Sequence, residues 1–168
     1  MAALLPGSAS SFSVVQQGSK IGSSIDGVFL PDRGSRQKFL AGKIPDAISL
    51  ELDDVITLRP AQLKKKIGGA MLIAIHSTDI DGAGENAIST VSARRVMDNV
   101  IGDLARCLRN LAAAGIDDAV VTSDHGHLFF PDDRPASMRI DPPGGDTVDL
   151  HRRCWIGRGG STPPGALR

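Results

Sequence analysis

Two short stretches gather residue types that can bind a metal ion. The first, STDIDGAGEN at 77–86, offers Asp79, Asp81 and Glu85. The second, SDHGH at 123–127, offers Asp124, His125 and His127, and so holds two of the chain's four histidines. Hard carboxylate oxygens mixed with imidazole nitrogens suit zinc or manganese. Asp81 and Glu85 are four residues apart, so they share one face if the backbone coils there. Gly126 lacks a Cβ, which lets the chain turn sharply beside an ion.

Each of these residues also has a plainer reading. Asp-His-Gly is a short word that arises by chance, and Asp124 could simply end a strand or cap a turn. Asp79 reads as a solvated loop acid rather than a ligand. His76, at the end of an apolar run, reads either as a core histidine or as an additional ligand. A calcium loop starting at Asp79 fails on its ligands. Ala83 stands at its fifth position and Thr90 at its twelfth, where an oxygen ligand and a bidentate glutamate are needed.

The elements that must position these groups follow from periodicity. AMLIAIH, ending at His76, is a continuous apolar run, as in a strand buried on both faces. STDIDGAGEN reads as a polar loop. Met97, Val100, Ile101, Leu104, Leu108 and Leu111 then recur at helical spacing and make one apolar face. Gly115 is a natural terminator for that helix. DDAVVTS reads as a second buried strand. Strand, helix and strand over 71–123 predict a crossover joining parallel strands, with both motif loops at one carboxyl edge. Ligands of open α/β sheets bind at that edge. The carboxylates of Asp81 and Asp124 should then lie within roughly 10 Å, the reach of a two-ion site.

Upstream, SFSVV and SIDGVFL read as β-prone runs, and RGSRQKFLAG as a short helix ending at Gly42. AISLELDDV alternates Ile48, Leu50 and Leu52 with polar residues, as in a half-buried strand. RPAQLKKKIGG reads as a helix with Pro60 in its first turn and Gly68 past its end. Its three consecutive lysines form a solvated face. The tail, 131–168, holds six of the ten prolines and reads as irregular, with VDLHRRCWIG as one further strand. The organisation expected is one domain over 1–168. It comprises a variable part at 1–69, a βαβ core with the metal motifs at 70–130, and an irregular tail at 131–168.

Composition excludes several classes. The formal net charge is zero and only 4% of residues are aromatic, so neither a nucleic-acid nor a membrane binder is indicated. Cys107 and Cys154 are far apart and form no zinc motif or disulfide framework. Cys107 fits an apolar helical stripe. Reduced thiols, with no signal peptide and no membrane span, point to the cytoplasm.

IAIHSTDIDGAGEN, a long helix and then DAVVTSDHGHLFF together resemble the PglZ domain. That domain belongs to the alkaline phosphatase superfamily and occurs in bacterial phage-defence systems of the BREX type. MAALLPG, SIDG followed by a basic helix, and HRRCWIG are similar to further PglZ stretches, so the resemblance covers nearly the whole chain. It implies an α/β fold, a mostly parallel sheet flanked by helices with an alkaline-phosphatase-like core. It implies hydrolysis of phosphate esters or diesters at two divalent ions, zinc or manganese. One ion would be held by Asp81 and Glu85 with a distal histidine, the other by Asp124 and His125 with an early aspartate and a Ser or Thr nucleophile. Arg152 and Arg153 become phosphate-binding candidates. The implied partners are a phosphorylated substrate and other phage-defence proteins.

The chain departs from the family pattern in an important way. In relatives the early aspartate and the nucleophile precede the MAALLPG-like stretch, at which this chain begins. The core is therefore expected to be incomplete at both ends, with no catalytic nucleophile identifiable and little turnover from the chain alone. The distal histidine has no obvious counterpart; His151 is a substitute, and His76 and His127 are further candidates. The alternative from another class is a non-catalytic α/β interaction module built on the same fold.

Overall fold

A computed structural model of the chain describes residues 2–86, 89–123, 125–126, 140–150 and 154–164. It divides into two compact units, Met1–His127 and Leu128–Arg168.

The first unit opens with a three-residue 3-10 turn at Ala2–Leu4 and a short helix, α1 (Ser8–Ser11). Three antiparallel strands follow: β1 (Ser13–Gln17), β2 (Lys20–Ile25) and β3 (Val28–Leu30). The β2–β3 connection is the dipeptide Asp26-Gly27, with φ of 51° and 76°. Positive φ at both central residues is what a type I′ hairpin turn needs. The Asp26 carboxylate accepts from the Ser11 hydroxyl at 2.7 Å and pairs with Lys43 at 2.6 Å, tying α1 and the next helix to the hairpin.

That helix, α2 (Arg33–Lys43), begins in a capping box. The Asp32 side chain accepts from Ser35 N at 2.7 Å, and the Ser35 hydroxyl accepts from Asp32 N at 3.2 Å. β4 (Ala47–Glu51) runs directly into α3 (Leu52–Thr57), followed by α4 (Pro60–Ile67) and β5 (Leu72–His76). β4 and β5 are parallel, in a register that pairs Ile48 with Ile73 and Glu51 with His76. The observed βαβ unit is thus 47–76, one element earlier than periodicity predicts. Leu52 does not continue the strand. It turns into α3 and is buried there.

After β5 the expected polar loop is instead helical: α5 spans Asp79–Asn86. The hydroxyl of Ser77 donates to the Asp79 carboxylate at 2.8 Å, and Asp79 and Asp81 sit in a first turn that favours negative charge. The long helix α6 (Thr90–Ala113) is capped by Ser89, which accepts from Ser92 N at 3.2 Å. It ends at Ala114 and Gly115, the latter with φ of 96°.

Leu50, Leu52, Val55, Leu63 and Ile67 pack with Val100, Cys107 and Leu111 of α6 into one core cluster. Val55 and Leu63 are fully enclosed. Each such side chain contributes about 1.5–3 kcal/mol by leaving water. Asn110 Nδ2 donates to the Val55 carbonyl at 3.1 Å, satisfying an α3 group within this packing. The buried stripe of α6 is Ala93, Val100, Cys107 and Leu111. It is rotated from the expected one, because Ile101 and Leu108 turn outward. Burial holds the Cys107 thiol pKa above its usual value, as suits a packing residue.

The second expected strand is not formed. Residues 116–123 lie outside any helix or strand, and Val120 is 92% exposed. A β-prone run becomes a strand only when a neighbour meets its backbone groups, and none of the described strands pairs with this one. Among the described residues the α/β architecture therefore comprises one parallel pair and two antiparallel sheets.

In the second unit, β6 (Asp146–Leu150) and β7 (Trp155–Arg158) form an antiparallel hairpin, so VDLHRRCWIG contributes to two strands rather than one. Trp155 Nε1 donates across it to Thr147 Oγ1 at 2.8 Å.

Candidate functional site

The carboxyl ends of β4 and β5 bring Glu51 and His76 side by side. Arg33, in the first turn of α2, forms a salt bridge with Glu51. Arg36 follows three residues on, on the same helix face. Burial holds the His76 imidazole below its usual pKa, and the positive charge of Arg33 adds to this. Glu51 opposes the shift, and Arg36 lowers the value further. Nε of Arg33, Nε of Arg36 and Nε2 of His76 are all shut off from solvent with no hydrogen-bond partner among the described residues. Two guanidinium groups make this corner a poor place for a cation.

The metal-ligand candidates meet next to it in the chain. The helical backbone of α5 places positions 81 and 85 one turn apart, as the spacing allows. His125 approaches from the segment after α6. Its Nε2 lies 3.5 Å from Asp81 Oδ1, and its Nδ1 lies 3.2 Å from the Gly126 carbonyl. A carbonyl only accepts, so in the neutral ring Nδ1 carries the proton and Nε2 presents its lone pair to the carboxylate.

The two motif loops thus converge through Asp81 and His125, although the strand expected to deliver the second is missing. Asp124, His127, His151, Arg152 and Arg153 lie outside the described residues, as does the Glu85 side chain. Among the described residues no group of three or more His, Cys, Asp or Glu is gathered as a metal would require. No helix of the described residues is long and apolar enough to cross a membrane.

Sequence reasoning missed Arg33, Arg36 and Glu51. Arg33 and Arg36 were visible only as part of a basic helix, and Glu51 only as the polar half of an alternating strand. Their meeting depends on α2 packing against β4, which no local pattern encodes.

The family model of the BREX system PglZ alkaline phosphatase-like domain matches residues 1–167. The chain belongs to the PglZ family. No curated protein and no solved structure matches it. PglZ membership carries an alkaline-phosphatase-like assignment and an association with BREX defence, as the two motifs had indicated.

Proposed function

We propose that this PglZ chain carries a metal-dependent site for hydrolysing phosphate esters or diesters, working in the cytoplasm within a BREX defence system. The observation that supports it is the Asp81–His125 approach at 3.5 Å. That separation exceeds an ordinary hydrogen bond of about 2.7–3.2 Å. It brings one expected ligand of each ion together, within the reach of a site whose two ions lie about 3.5–4 Å apart. With Nδ1 held by the Gly126 carbonyl, a lone pair and a carboxylate face each other. The carbonyl contact is also the kind of outer support that orients a metal-binding histidine.

Asp81 and Glu85 would hold one ion, and Asp124 and His125 the other. Zinc or manganese bound there would supply Lewis acidity toward a phosphoryl oxygen and the leaving oxygen. The chain's own part is to fix the ligands. α5 orients Asp81, and its first turn, with Asp79 engaged by Ser77, keeps Asp79 off the site. The parallel β4–β5 pair is read as part of an alkaline-phosphatase-like sheet. Both cysteines are free thiols, in keeping with a reducing compartment.

The test is hydrolysis of p-nitrophenyl phosphate and bis(p-nitrophenyl) phosphate with Zn²⁺ or Mn²⁺. The chain alone should turn over little, and what turnover it has should need the metal and be lost in Asp81→Ala. Turnover that needs no divalent metal, or that Asp81→Ala leaves unchanged, contradicts the proposal; a folded chain that neither binds zinc or manganese nor turns over leaves the non-catalytic module.

A further inference from the structure

We propose that Arg33, Arg36 and His76 form a phosphate-binding site at the carboxyl edge of β4 and β5, with Glu51 as its internal competitor.

Three nitrogen atoms from three side chains have neither solvent nor a hydrogen-bond partner among the described residues: Nε of Arg33, Nε of Arg36 and Nε2 of His76. Buried polar groups are nearly always satisfied, and each orphan costs about 1–3 kcal/mol. Three of them around one corner therefore indicate a partner that a bare chain does not supply. The positive charges say what kind. Arg33 pairs with Glu51, the register partner of His76, and Arg36 lies one turn further along α2. A guanidinium presents a planar fork of donors that fits a phosphate bidentately. A singly protonated phosphate both accepts and donates, so it can meet His76 Nε2 in either tautomer.

Glu51 already uses one arm of the cluster. Its carboxylate takes a terminal nitrogen of Arg33 but leaves all three orphaned atoms unmet. One carboxylate against two guanidinium groups also leaves a net positive charge of about one at the corner, with His76 neutral. Arg33 is 37% exposed and Glu51 52% exposed, so an anion arriving from solvent reaches the pair directly. Displacing Glu51 frees the Arg33 fork to turn toward it.

Phosphate binding here needs no metal; only its role as a grip on the substrate rests on the function proposed above. The experiment is a calorimetric titration of the full chain, freed of metal by chelator, with inorganic phosphate. Saturable binding is expected, weakened at least tenfold in Arg36→Gln and tightened several-fold in Glu51→Gln. Arg36→Lys, which keeps the charge but loses the fork, should fall between wild type and Arg36→Gln. Circular dichroism checks that each variant is folded. Absence of saturable phosphate binding overturns the proposal, as does equal affinity in wild type and folded Arg36→Gln. Normal phosphate binding by a chain that binds no metal would uphold this site while contradicting the metal-dependent reading.

Discussion

His125 Nε2 faces Asp81 Oδ1 across 3.5 Å, and the two residues lie in the segments before and after α6. Their meeting depends on how α6 is seated, because α5 and α3 both pack against it. The chemistry proposed for this PglZ chain is thus coupled to the stability of one long helix.

That seating can be tested by face. Leu111 is 6% exposed and lies in the core cluster, whereas Ile101 is 58% exposed. Leu111→Ala should cost about 2–5 kcal/mol. Ile101→Ala should stay within about 0.5 kcal/mol. Urea unfolding measures both. Comparable losses would mean that the buried stripe is the one read from periodicity and not the rotated one.

Two glycines of the same helix should respond in opposite directions. Gly102 lies in the interior of α6, and a Cβ there would meet nothing within 4 Å. Gly102→Ala should therefore stabilise by about 0.5–1 kcal/mol. Gly115 also has room, but its φ of 96° is left-handed. Gly115→Ala should destabilise by about 1–2 kcal/mol. Thermal melts that move the same way for both would contradict the helix end.

Much of this frame was legible in the chain. Pro60 and Gly68 bracket α4, Gly115 ends α6, and the apolar run to His76 is β5, because these signals act within a few residues. The failures share one physical cause. DDAVVTS has the composition of a strand, but a strand needs a neighbour, and among the described residues that run has none. Leu52 alternates correctly with Leu50 yet starts α3, where the core of α6 buries it. Asp81 and His125 stand in motifs that the sequence displays; Arg33 and Glu51 do not, since only the packing of α2 on β4 brings them together.

His76 makes stability depend on pH in a defined direction. Its folded pKa is lowered from 6.5, first by burial and then by Arg33. The unfolded chain therefore binds the proton more readily. Stability is fully present above about pH 6.5 and is lost as pH falls from there toward the folded value. The urea midpoint should drop between pH 7.5 and pH 5.5, and His76→Gln should flatten that drop. Identical slopes for wild type and His76→Gln would remove His76 as the cause.

The central claim is that Asp81 and His125 are ligands in a two-ion divalent metal site, and titrating the chelator-treated full chain with Zn²⁺ or Mn²⁺ by calorimetry tests it most directly. We expect saturable binding that raises the melting temperature and weakens at least tenfold in both Asp81→Ala and His125→Ala, with the fold of each variant intact. No saturable binding by the wild-type chain, or an affinity that neither substitution alters, would contradict it.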